Sequence, residues 1–137
     1  MNKKQALYTG TFFIGFAYNF FLALHFTNNA IYPLYVTAEG GSATSVGLFM
    51  AVYSIAAVLG RPIVGYLIDK KGVKLVLILG SLFMALPNLL FLSSFGEGIG
   101  IWIWLVRLIQ GFGFGAHFSA GFTLAGQIAP DNRRNEA

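Results

Sequence analysis

The chain has no cysteine among its 137 residues, which excludes a disulfide framework, a thiolate metal centre and a cysteine nucleophile. Charge is scarce as well. Asp, Glu, Lys and Arg make up 10% of the chain, against about 25% in a soluble domain. None of the five acidic residues lies inside an apolar run: Asp69, Asp131 and Glu136 sit beside basic residues, and Glu39 and Glu97 occupy the other connections. With His25 and His117 as its two imidazoles, the sequence holds too few ligands of the usual kinds for a metal or haem site. No metal and no cofactor is expected, and nothing in the pattern suggests an enzyme. Apolar residues are abundant instead, at 56% with 14 Phe and a mean hydropathy of +0.69. Such a chain belongs in a bilayer. The net charge of +4 falls at the ends of apolar runs, so it reads as membrane topology; with no solvated basic face, no nucleic-acid partner is expected.

Four runs are long enough to cross a hydrocarbon core of about 30 Å: about 6–27, 46–68, 73–93 and 100–129. Lys3 and Lys4 ahead of the first run resemble a signal peptide's start, but the run is too long for an h-region and lacks a small-x-small cleavage site. It reads as a retained span ended by Asn28 and Asn29; Pro33 beyond them leaves a kinked continuation or a stop open. Of the nine Lys and Arg, Arg61 and Arg107 lie within runs. The other seven, Lys3, Lys4, Lys70, Lys71, Lys74, Arg133 and Arg134, all fall on one side of a four-span path. By the positive-inside rule that side, with both termini, is cytoplasmic. Trp102 and Trp104 suit an interfacial belt at the opposite end. The expected fold is an all-α polytopic membrane helix bundle across 1–137, and its charged ending reads as an interrupted connection, hence a fragment.

The basic stretch between the second and third runs is Gly65-Tyr66-Leu67-Ile68-Asp69-Lys70-Lys71-Gly72-Val73-Lys74. Gly65 and Gly72 allow the tight turn a short connection needs. Asp69 among lysines is either a solvated turn residue or a charge latch formed in one conformational state. Inside the fourth run, Arg107 is the costliest residue, since a charge at a helix centre costs at least about 2.5–3.5 kcal/mol. It either snorkels to the interface or faces inward. Residues 107, 110, 114 and 117 fall within an arc of about 80°, which puts Arg107, Gln110 and His117 on one polar stripe. Asn19 of the first run is the candidate partner if the first and fourth spans pack together. Gly111, Gly115 and Ser119 form a neighbouring small-residue stripe and, with Gly113, read as helix packing. His117 is either a satisfied core histidine or a proton carrier.

The pattern Gly65-x-Leu67-x-Asp69-Lys70-x-Gly72-x-Lys74, between a second and a third span, resembles the signature loop of the major facilitator superfamily of secondary transporters. Val73 stands where that family commonly has a basic residue. The run Arg107-Leu108-Ile109-Gln110-Gly111-Phe112-Gly113-Phe114-Gly115 is similar to the family's fourth-helix motif. Ala129-Pro130-x-x-Arg133-Arg134-x-x-Ala137 resembles its connection from fourth to fifth helix. The resemblance implies the N-terminal portion of a twelve-span plasma-membrane transporter that works by alternating access, with substrate at the midplane. It implies a conformational-switch role for Gly65, Asp69, Lys70, Gly72 and Lys74. The inward polar stripe marks Arg107, Gln110 and His117, with Asn19, as the expected substrate or proton pathway; a coupling proton would be carried by His117 or, the favoured reading, by a group in sequence not present here. The implied partners are lipid, a small-molecule substrate and the remaining helices or a partner chain. Proton-coupled efflux of a drug or metabolite is one form this could take. The alternatives are a four-span protein that transports as a homo-oligomer and a non-transporting accessory or structural membrane protein.

Overall fold

The computed structural model describes residues 9–93 and 99–129. It consists of α1 (Gly10–Thr27), a 3-10 turn (Asn28–Ala30), α2 (Ile31–Ala38), α3 (Ala43–Leu59), α4 (Arg61–Lys71), α5 (Val73–Ser93) and α6 (Ile101–Ile128). No strand occurs among the described residues, as an all-α membrane protein requires. Lipid offers no partner to a free N–H or C=O, so a spanning segment satisfies its backbone internally, and helices do this.

Gly10–Ala38, Ala43–Lys71 and Val73–Leu92 are each long and apolar enough to cross a membrane. At 28 residues α6 is also long enough, roughly 42 Å at 1.5 Å per residue. Its apolar character is diluted by glycines and by Arg107, Gln110 and His117.

Three boundaries differ from the sequence reading. The first span does not end at Asn28; the 3-10 turn carries the chain on into α2, with Pro33 in that helix's first turn, where its missing N–H is tolerated. The second span starts at Ala43, with Ser42 Oγ accepting from Ser45 N at 3.2 Å as its N-cap. It is then broken at Gly60, ahead of Pro62 in the first turn of α4. The basic connection is mostly helix: Asp69, Lys70 and Lys71 belong to the last turns of α4, and Gly72 alone, at φ 84°, joins it to α5. Only glycine adopts that backbone readily. The lysines of that turn also face the negative end of the helix dipole, a favourable arrangement.

Helix α6 is the centre of the bundle, packed on α5, α3, α4 and α1. It runs parallel to α3, with Gly111 against Tyr53 and Ala56, and Gly115 against Ala57. It runs antiparallel to α5, with Gly113 against Gly80 and Phe83. A Cβ on Gly111 or Gly115 would collide with the carbonyl oxygen of Tyr53 or Ala57. The three glycines therefore let α3 and α5 approach α6 on two sides. One apolar cluster, around Phe49, Val36, Ile103 and Val106, fills the end near the α2–α3 turn; another, around Val64, Val76, Ala116 and Ala120, fills the Gly72 end. Helix α1 has no buried residue, and among the described residues its main long-helix contact is α6.

Candidate functional site

The side chains with chemistry collect on the inward stripe of α6, and the neighbouring helices supply their partners. Arg107 is fully buried, as is Gln110, and His117 is 6% exposed. Arg107 therefore does not snorkel. Its guanidinium carbon sits 4.4 Å from the ring centroid of Tyr32, 5.1 Å from that of Phe49 and 4.3 Å from that of Tyr53. This is a three-sided aromatic box, each face worth roughly 0.5–2 kcal/mol to a cation held against it. One terminal nitrogen donates to Asn29 Oδ1 at 2.9 Å and to Gln110 Oε1 at 3.3 Å, and the other to Met50 Sδ at 3.5 Å. These groups are all neutral. Among the described residues no carboxylate balances the charge, and Nε has no partner.

Gln110 carries the network onward. Its Nε2 donates to Tyr32 Oη at 2.8 Å and to Asn88 Oδ1 at 2.6 Å, while Tyr32 Oη donates to Asn88 at 2.9 Å. Asn88 is anchored by its own donation to Met84 O at 2.8 Å. One side chain of α6 thus ties α2 to α5, and its neighbour Arg107 ties the 3-10 turn to α3. The break after Thr27 has a local cause: Asn29 is directed at Arg107 while its amide donates to Phe26 O at 3.2 Å.

The first span does pack against α6, but the residue it offers to Arg107 is Asn29 and not Asn19. Asn19 is exposed and donates to Gly15 O of its own helix at 3.1 Å. His117 lies further along the stripe, its ring stacked on Tyr18 at 4.0 Å and 11°. Asp69, Lys70 and Lys74 are exposed, Gly72 makes the turn beside them and Gly65 is half-buried within α4; none of these joins the buried network. Trp102 is exposed at the start of α6, whereas Trp104 turns onto Phe49 at 5.6 Å. Lys3, Lys4, Glu97, Asp131, Arg133 and Arg134 lie outside the described residues.

Sequence reasoning missed Tyr32, Phe49, Tyr53 and Asn88. Asn88 carried a signal, as an amide next to Pro87 within an apolar run. The aromatic residues carried none in a chain so rich in rings.

A buried polar cluster between apolar helices, with a cation at its centre, defines the class: a polytopic helical membrane protein whose helices are joined by buried polar side chains. The chain belongs to the major facilitator superfamily, whose family model matches residues 7–137. It is also similar to "Putative proline/betaine transporter" of Staphylococcus haemolyticus (strain JCSC1435). The two are 32% identical over 92 residues, which cover 63% of this chain and 19% of that protein. The protein of the same name from Staphylococcus aureus (strain COL) matches at 32% over 92 residues, covering 20% of its length. The match thus spans about a fifth of the length of these curated relatives. No solved structure matches.

Proposed function

We propose that this chain forms the first four spans of a secondary active transporter in a plasma membrane, moving a small organic solute by alternating access. The observation that carries the reading is Arg107: a wholly buried guanidinium in an aromatic box, with amide and thioether partners and no acid among the described residues. A charge kept at such cost inside a membrane bundle marks a solute or ion pathway more often than a structural need. The family and the names of the relatives point to a transporter rather than an enzyme.

A carboxylate-bearing zwitterion suits the site better than a cationic drug. An anionic group supplies the charge that the neutral partners of Arg107 do not, and the relatives' name mentions proline and betaine. Efflux of an amphipathic drug is the second reading, supported by the Phe-rich spans. Under either reading the α4 turn, with Gly65, Asp69, Lys70, Gly72 and Lys74, is the conformational latch. Both termini face the cytoplasm, and further helices or a partner chain cover α1.

The test is uptake into proteoliposomes by the transporter that contains this segment, with Arg107→Lys and Arg107→Ala. Lysine keeps the charge and loses the planar fork, so it cannot bond Asn29, Gln110 and Met50 together while stacking on three rings. Both variants are expected to lose at least about tenfold in rate, roughly 1.4 kcal/mol or more in the barrier. Wild-type uptake by Arg107→Lys would defeat the reading. Asp69→Asn is expected to slow uptake several-fold without lowering the amount inserted, because insertion rests on the lysines. An unchanged rate would return Asp69 to a solvated helix end.

A further inference from the structure

Resting on the transport reading above, we propose that the solute's carboxylate docks on one edge of the Arg107 guanidinium with help from the Tyr53 hydroxyl, and that Met50 is the door to that edge. A guanidinium has five N–H donors. The two on Nη1 go to Asn29 Oδ1 at 2.9 Å and Gln110 Oε1 at 3.3 Å. Nη2 meets the thioether sulfur of Met50 at 3.5 Å, a weak acceptor. Nε is buried and has no partner among the described residues. Nε and Nη2 share one edge of the plane, and their parallel N–H bonds match the two oxygens of a carboxylate. The side of Arg107 shaped for bidentate binding is thus the side that the protein leaves least satisfied.

A second unsatisfied group stands beside the same cation. Tyr53 Oη is buried and makes no hydrogen bond among the described residues. Asn29 lies beside it, but the amide oxygen of Asn29 is on Arg107 and its nitrogen is on Phe26 O. The Tyr53 ring centroid is 4.3 Å from the guanidinium carbon. Its hydroxyl lies one ring radius and one C–O bond beyond that centroid, within the roughly 7–8 Å that a carboxylate bridges with a hydrogen bond from each oxygen. The box itself does not need this hydroxyl, since Phe49 forms another wall at 5.1 Å with a plain ring. The hydroxyl of Tyr32, by contrast, is used, bonded to Gln110 and Asn88. Buried polar groups are nearly always paired. Two unpaired ones on facing helices, beside a charge that no acid among the described residues balances, point to a shared anionic acceptor.

Burial marks the way in. Of the side chains that touch Arg107, those of Asn29, Tyr32, Phe49, Tyr53 and Gln110 are buried, whereas Met50 is half-buried. Methionine is unbranched and flexible, so it moves aside at little cost to its packing. A carboxylate oxygen is also a far better acceptor for Nη2 than the sulfur it replaces. Phe49, Met50 and Tyr53 fall within about one turn of α3, and that turn supplies a wall, the door and the second donor. The arrangement selects for charge as well as shape. A carboxamide of the same size offers one oxygen, and its N–H groups would face the N–H donors of Arg107.

The test uses the transporter that contains this segment, in lipid nanodiscs, with acetate as the simplest carboxylate and acetamide as its neutral counterpart at matched ionic strength. Acetate is expected to raise the unfolding temperature of the wild type, and acetamide to leave it unchanged. Tyr53→Phe removes the hydroxyl and keeps the ring. Without ligand it is expected to unfold at the wild-type temperature or above, because the hydroxyl it loses has no partner, and to bind acetate at least about tenfold more weakly. A hydroxyl kept for structure would do the reverse, lowering the unfolding temperature and sparing acetate. Met50→Glu puts a carboxylate on the same edge and is expected to abolish the acetate effect. Equal stabilisation by acetate and acetamide, or by acetate in the wild type and Tyr53→Phe, would overturn the site, and an acetate effect that survives Met50→Glu would overturn the door. In proteoliposomes, Tyr53→Phe is expected to raise the KM for proline at least about tenfold, and an unchanged KM would overturn the role of Tyr53 in transport. Failure of the wild type to take up any solute would overturn the transport reading instead, while the acetate measurements decide the carboxylate site by themselves.

Discussion

Asn29 and Asn19 are the same residue type, ten positions apart on one span, and the structure gives them unlike roles. Asn29 is 8% exposed and accepts from a buried guanidinium, whereas Asn19 bonds its own helix from an exposed position. Hydrogen bonds to charged groups contribute about 1.5–3 kcal/mol, and the loss is greatest when the charge stays buried. Asn29→Ala is therefore expected to destabilise the folded bundle by about 1.5–3 kcal/mol. Asn19→Ala should fall within about 0.5 kcal/mol, as for other exposed positions. Equilibrium unfolding in mixed micelles measures both, and equal values would show that Arg107 does not depend on Asn29. Neither side chain could have been chosen from spacing, because the 100° step relates residues of one helix and does not say which amide of the first span meets the stripe on α6.

At the scale of elements, the contacts of α6 rest on the absence of side chains. Ala at Gly111 would drive a methyl into the Tyr53 carbonyl and to 2.9 Å from the Ala56 Cβ, both in the middle of α3. The helices would have to separate, and overpacking of this kind costs about 1–3 kcal/mol. Gly126 is the internal control: it lies on the same helix with nothing within 4 Å of an added Cβ. There alanine's better helix propensity should show as a gain of up to about 1 kcal/mol. Opposite signs for Gly111→Ala and Gly126→Ala in the same unfolding assay are the expected outcome; a gain at both would mean that α3 and α6 do not touch here. The small-residue stripe was legible because period four on a helix makes one face. That Gly113 serves a second helix, α5, was not, since spacing says which residues share a face and not what the face meets.

For the whole molecule, orientation can be tested directly because the chain has no native cysteine. Ser42 lies in the α2–α3 turn and Lys71 at the end of α4, both exposed and at opposite ends of the second span. A membrane-impermeant thiol reagent should label Ser42→Cys in intact cells and label Lys71→Cys only after permeabilisation. The reverse pattern would invert the proposed topology. The sequence by itself determined the helical membrane class, the four apolar runs and the inward stripe of α6, because hydropathy, span length and helical period are local quantities that a bilayer enforces one span at a time. It also marked Arg107 as costly, since the price of a buried charge is set before any partner is known. Tertiary structure decided what meets that charge: Tyr32, Phe49 and Tyr53 as a box, Asn29 from a broken first span, and Asn88 through Gln110. These contacts join residues tens of positions apart. Their geometry depends on where helices break and how closely glycines let them approach, which no single-helix pattern contains.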